Sequence, residues 1–210
     1  MKRSITILIM LIAYTAWASA QNGRQSFAFH VGYGTMPEGT SGLTLGDDSY
    51  KNKLCKGVNW DAQYYVVPFK HLGFGLLYSG YSAQARHEEG ADHVYTHFIA
   101  PQVGLYIVNN NAVDLRFNAG LGWMFYRNNG EVFSKSRIAT TSNLAGNLGL
   151  SFNYKLNSSW GVGADVQYLI AKFGQTDVRY HDETIEVTFP NGESLSGSRL
   201  SLSAGITYSF

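Results

Sequence analysis

The chain has 210 residues, with 16 basic and 15 acidic side chains, a formal net charge of +1, 45% apolar content and a single cysteine. That length fits one domain, the near-neutral balance excludes the basic surface of a nucleic-acid binder, and one thiol excludes an internal disulfide. Average hydropathy does not exclude a membrane protein, because lipid-facing and lumen-facing residues of a spanning β-barrel alternate and cancel.

Lys2 and Arg3 precede an apolar run over residues 5–13, and Ala18-Ser19-Ala20 supplies the small-residue pattern before Gln21. Residues 1–20 therefore read as a secretory signal peptide cleaved after Ala20, leaving a domain over 21–210. The run is shorter than the roughly 20 apolar residues of a spanning helix. No cysteine stands at the cleavage point to carry a lipid anchor. Removal of Lys2 and Arg3 leaves 14 basic against 15 acidic residues, a net charge of −1.

A polar stub over 21–25 leads into the first strand, with Phe27, Phe29, Val31 and Tyr33 on one face and Ala28, His30 and Gly32 on the other. Residues 34–56 show no periodicity and are expected to form a long exposed loop, in which Cys55 is a bystander. Residues 57–67 alternate Val58, Trp60, Ala62, Tyr64 and Val66 outward with Asn59, Asp61, Gln63 and Tyr65 inward, and a tight turn follows at 68–71. The third strand, 72–81, turns Leu72, Phe74, Leu76 and Tyr78 outward before a charged loop at 84–92. Residues 94–108 form the fourth, where Pro101 predicts a bulge or a missing ladder bond. Asn109-Asn110-Asn111 marks a turn, because asparagine tolerates left-handed backbone angles.

The fifth strand, 112–126, sets Leu115, Phe117, Leu121, Trp123 and Phe125 against Asp114, Arg116, Asn118 and Tyr126. After a long connection at 128–137 the sixth strand runs to Tyr154 with Leu148, Leu150 and Phe152 outward, and 157–159 is a tight turn. The seventh, 160–171, carries Trp160, Val162, Val166 and Ile170 against Gly161, Gly163 and Asp165. A last long connection spans 175–197, in which 187–189 extend a hairpin beyond the bilayer. The chain ends on RLSLSAGITYSF, with Leu200, Leu202, Ala204, Ile206, Tyr208 and Phe210 on one face and small polar residues on the other.

Eight strands with alternating long and tight connections predict an all-β fold, an eight-stranded antiparallel up-and-down transmembrane β-barrel. Strands in lipid must close on themselves to satisfy every backbone group. A soluble lipocalin-like barrel has the same alternation with its apolar rows inside. Here nearly half of the other row is Gly, Ser, Ala, Asn and Gln, with Asp61, Asp114, Arg116 and Asp165 at mid-strand, which suits a narrow lumen and turns the apolar rows to lipid. Trp60, Tyr78 and Trp123 towards the long-loop end, and Phe152, Trp160, Tyr208 and Phe210 towards the short-turn end, form the aromatic bands of two lipid interfaces.

His30, Asp61, Asp114, Arg116 and Asp165 are the ionisable residues expected deepest in the lumen. Buried charge is costly unless paired, so they are read as a structural polar network in which Arg116 and His30 neutralise the acids. The sharper alternative is a narrow pore for ions or small solutes. His87, His93 and His97 beside Glu88, Glu89 and Asp92 have weak metal-site spacing and read as solvated loop charge. No catalytic, cofactor or metal residue is assigned.

Over residues 25–210 the strand number, loop alternation, leader and terminal Phe210 resemble the small eight-stranded outer-membrane proteins of the OmpX type and the OmpA transmembrane domain. The resemblance implies a Gram-negative outer-membrane location, with periplasmic chaperones and the barrel-assembly machinery as partners in biogenesis and lipid and lipopolysaccharide as surroundings. It also implies loops that meet an extracellular ligand in adhesion, evasion or envelope integrity, without a cofactor. The chain departs from the OmpA plan in carrying no periplasmic domain after the last strand. Lipid A-modifying barrels are the enzymatic alternative. No His-x-Ser-Asn-Ala-type motif of the deacylases is present, and residues 21–25 are too few for the amphipathic helix that precedes the first strand of palmitoyltransferases.

Overall fold

The computed structural model describes residues 24–36, 48–87, 90–132, 135–180, 183–189 and 194–210. The expected signal peptide lies outside them. The elements are β1 (Arg24–Thr35), α1 (Asp48–Leu54), β2 (Lys56–Phe69), β3 (Leu72–His87), β4 (Gly90–Asn109), β5 (Val113–Val132), β6 (Lys135–Lys155), β7 (Trp160–Phe173), β8 (Gln175–Tyr180), β9 (Glu183–Thr188), β10 (Leu195–Ser196) and β11 (Arg199–Ser209).

Strands β1 to β7 pair antiparallel in sequence order, β7 pairs with β11, and β11 returns to β1, so eight strands close a ring. The closing seam runs from Ser26 opposite Ser209 to Thr35 opposite Leu200. Closure removes the exposed ladder edges that neither lipid nor solvent tolerates well. Burial runs in the direction the lipid reading requires: Leu202, Leu121 and Val166 are 62%, 60% and 43% exposed, whereas Asp165 and Asp114 are 0% and 7% exposed.

The tight turns follow their asparagines. Asn110 Oδ1 accepts from the amides of Ala112 (2.9 Å) and Val113 (2.8 Å), and Asn157 Oδ1 accepts from those of Ser159 (2.9 Å) and Trp160 (2.8 Å). These side-chain caps replace the ladder bonds that a reversing chain gives up. At Pro101 the β3–β4 register is unbroken, while on the β5 side residues 100 and 101 have no ladder partner. A residue without an N–H interrupts the bonding there, and the register shift itself lies at Tyr106–Val108.

Three expected loops are strand instead. Residues 84–92 belong to the ends of β3 and β4, and 128–137 to β5 and β6, with 88–89 and 133–134 outside the described residues. Within 175–197 lie β8, β9 and β10, and Val187 sits on the β9 arm of the expected hairpin. The expected loop over 34–56 holds the end of β1, α1 and the start of β2, while 37–47 lie outside the described residues. Cys55 is buried against α1 and is no loop bystander.

Candidate functional site

The lumen is filled in two tiers. In the lower tier, towards the tight turns, His30 lies opposite Asp61 in the β1–β2 register, and its Nδ1 is 2.8 Å from Asp61 Oδ1. Asp61 also accepts from Gln63 Nε2 at 3.0 Å and Ser203 Oγ at 3.2 Å. Gln63 reaches Asp165 as well, at 3.3 Å, and Ser151 donates to the same Asp165 oxygen. Gln63 Oε1 in turn accepts from Arg116 Nη2 at 2.8 Å. Arg116 Nε donates to Asn118 Oδ1 at 2.7 Å, and Asn118 Nδ2 donates to Ser151 Oγ at 2.6 Å. The result is a closed circuit from Arg116 through Gln63 to Asp165 and back through Ser151 and Asn118.

Among the described residues Arg116 therefore bonds to no carboxylate directly, contrary to the expected pairing. Its guanidinium lies 3.6 Å from the centroid of the Tyr65 ring, a cation–π contact in a site shielded from water. Gly104 makes this stack possible: a Cβ there would come within 2.8 Å of Arg116 Cδ and 2.9 Å of Tyr65 Cε1. Asp114 stands apart from the circuit. It pairs with Arg24 (3.1 Å) and Lys155 (2.9 Å) at the tight-turn rim, where both long side chains reach it from the barrel mouth. The void left among Arg24, Gln63, Tyr106 and Arg116 is about 30 Å³, room for about one water.

The upper tier went unread in the sequence. Arg199, fully buried at the start of β11, donates to Thr96 Oγ1 (2.9 Å) and Ser79 Oγ (2.6 Å) and stands 5.1 Å from the Tyr81 ring centroid. Its inward phase with Ser201 and Ser203 was the available signal. Around and above it the lumen is apolar: Phe98, Met124, Leu169 and Phe173 from the wall cluster with Tyr50 and Leu54 of α1 and Leu195 of β10. One polar latch crosses this cluster. Asp92 accepts from Tyr50 Oη and from Arg137 Nη2, each at 2.6 Å, and so joins α1 to β4 and β6. Burial, followed by the Asp92 carboxylate, pushes the Tyr50 phenol well above the ordinary tyrosine range.

On the outer surface Tyr78, Trp123, Phe152, Trp160, Tyr208 and Phe210 are exposed, and Trp60 is half-buried over Gly80. His97 joins the upper band, with Nδ1 2.8 Å from Tyr78 Oη. His93 also faces out, with Nε2 2.8 Å from Ser82 Oγ and Nδ1 2.7 Å from Tyr95 Oη. Asp92 faces inward, so the strand separates it from both histidines, while Glu88 and Glu89 lie outside the described residues. Among the described residues no three of His, Cys, Asp and Glu converge as a metal site needs.

The same fold recurs in solved structures. Ail, the attachment invasion locus protein of Yersinia pestis, is 13% identical, with 90% of this chain and 99% of that one covered at a TM-score of 0.53. Neisserial surface protein A is 13% identical, with 90% and 96% covered at 0.52. A major outer membrane protein from Thermus thermophilus is 11% identical, with 89% and 99% covered at 0.60. No curated protein matches the sequence. The family model described as the outer membrane protein beta-barrel domain matches residues 5–190, and the chain belongs to that family, a barrel of the outer membrane.

Proposed function

We propose that this protein is a non-catalytic outer-membrane barrel that works through its long-connection end, turned to the cell exterior, in adhesion, evasion or envelope integrity. The carrying observation is the filling of the lumen along its length: a hydrogen-bonded polar tier below and an apolar tier capped by α1 above. A bore packed in this way holds a rigid scaffold and leaves no column of water for solutes. The extension of β3 to β6 and of the β8–β9 hairpin beyond the lipid-facing rows supports a surface role, because it presents ordered strands to the outside. Planar-bilayer recording tests the reading. Purified protein is expected to insert without stable conductance steps, and large steps would overturn it.

A lipid A-modifying enzyme is the second reading, favoured by one arrangement. Ser82 Oγ lies 2.8 Å from His93 Nε2, the relation of a nucleophile to its base, and Tyr95 Oη stands where a third residue would orient the ring. Partial burial lowers the His93 pKa, which favours the neutral imidazole that such a base needs. Lipid A mass spectra from cells expressing the protein decide between the readings. An unchanged spectrum supports the first, and a mass shift abolished by Ser82→Ala supports the second.

A further inference from the structure

The β4–β9 part of the wall carries a cavity of about 1340 Å³, which meets the upper lumen tier at Tyr126 and Phe173. It arises from a break in the ladder. β6 pairs with β7 only as far as Ala145 opposite Ala171, and it joins β8 only from Thr140 opposite Asp177. Between these points side chains stand in for the ladder: Asn143 Nδ2 donates to the Lys172 carbonyl (2.8 Å), and Thr141 Oγ1 donates to that of Gln175 (2.7 Å). The cavity lies across this break, lined by Thr141, Ser142 and Asn143 on one side and Gly174, Gln175 and Thr176 on the other. Cross-strand register then sets Tyr95, Arg127, Thr140, Asp177 and Glu186 in one row along the cavity, with Phe125 one step nearer the bilayer. Arg127 is held in place by the bond from its Nε to Asn129 Oδ1 at 2.7 Å.

The chemistry of the lining selects a class of ligand. A simple anion meets Asp177 and Glu186, and a simple cation meets Arg127. An acyl chain would strip water from hydroxyls and carboxylates and return no hydrogen bonds. A ligand with many donors and acceptors and a flat C–H face for Tyr95 and Phe125 meets all of these demands. We infer that this groove binds an oligosaccharide. The volume exceeds the roughly 300–1,000 Å³ of pockets for drug-sized molecules, which suits several linked sugar rings. Its lower lip, at His97 and Phe125, is level with the upper aromatic band, so a ligand enters from the membrane surface. The inference rests on the surface-interaction reading and names a ligand class for it.

Two sources share this chemistry: the sugar portion of a glycolipid in the same leaflet, and a soluble glycan. The test uses the full mature chain in phosphatidylcholine nanodiscs, titrated calorimetrically with the soluble core oligosaccharide released from lipopolysaccharide. Saturable binding is expected, weakened about tenfold or more in the Arg127→Ala, Glu186→Ala double variant, as the loss of hydrogen bonds to charged groups implies. Leu202→Ala on the distant lipid face should bind as the parent does. Both altered residues are exposed on the outer surface, so ring closure does not depend on them. In a second arm the nanodiscs contain intact lipopolysaccharide. Blocked probe binding there supports the groove with the glycolipid as its occupant, and retained binding supports it with a soluble glycan. Absence of saturable binding in the first arm overturns the inference, as does binding indifferent to the double substitution. Either result leaves the surface-interaction reading standing, whereas conductance steps overturn that reading and not the groove.

Discussion

Arg116 holds its charge in the lumen without bonding to a carboxylate among the described residues, and Gln63 is what permits it. The amide accepts from the guanidinium through Oε1 and donates to Asp61 and Asp165 through Nε2, so one neutral side chain couples a cation to two acids. Replacing it with leucine keeps much of its bulk and leaves all three charged groups short of a partner. Unmade bonds to buried groups cost about 1–3 kcal/mol each, more when charged. Gln63→Leu is therefore expected to lower barrel stability by about 3 kcal/mol, read by equilibrium urea unfolding in lipid vesicles. Gly104→Val acts on the same stack through space rather than bonding, since its Cβ would meet Arg116 and Tyr65 at 2.8 and 2.9 Å. Overpacking costs of about 1–3 kcal/mol apply. A variant as stable as the parent would show that the Arg116–Tyr65 stack is free to move aside.

At the scale of elements, legibility in the sequence followed the solvent. Where lipid lies outside, every second residue must be apolar, and rows such as Phe27, Phe29 and Val31 are plain to read. Past the bilayer the constraint changes phase: on β3 the apolar series passes from Leu76 and Tyr78 outside to Tyr81, Ala83 and Ala85 inside, where they pack beneath α1. A strand that switches its greasy face in mid-course reads as the end of a strand, and Asn128, Asn129 and Arg137 with polar residues on both faces read as loop. The same solvent logic explains the site. His30, Asp61 and Asp165 were legible as charged interruptions of a small-residue row, but their partners depended on a Gln, a Ser and an Asn that carry no signal of their own. α1, at seven residues, is too short to show a helical period. Its hold on the wall is testable through Tyr50 and Asp92. A phenol pKa raised in the folded state stabilises fully below the unfolded value near 10 and is lost only as pH climbs through the higher folded value. The difference between the tyrosinate titrations of the parent and of Tyr50→Phe should therefore isolate one phenol that stays protonated while exposed tyrosines ionise. Asp92→Asn should bring that phenol down towards its exposed neighbours, and an unchanged titration in Asp92→Asn would deny the latch.

For the molecule as a whole, the two tiers act as seals in series. The lower is polar and held by the Arg116–Gln63–Asp165 circuit. The upper is apolar and held by α1, Phe98 and Phe173. Each blocks the bore independently, because they occupy different heights of one closed ring and share no side chain. Because each seal by itself stops ions, opening one leaves the other closed, and a bilayer recording detects no change. Tyr65→Ala with Arg116→Ala clears the centre of the lower tier, since it removes the stacked pair and the hub of its circuit. Tyr50→Ser with Leu54→Ser weakens the apolar packing of α1 and lets water past it. Each pair by itself is expected to remain silent in planar bilayers, and the fourfold variant is expected to show stable steps. Silence in the fourfold variant, with the fold intact by infrared spectroscopy, would mean that the wall side chains around Arg199 form a third barrier. Conduction after the lower pair alone would mean that α1 does not seal the mouth, and the upper tier would then be a surface feature rather than a plug.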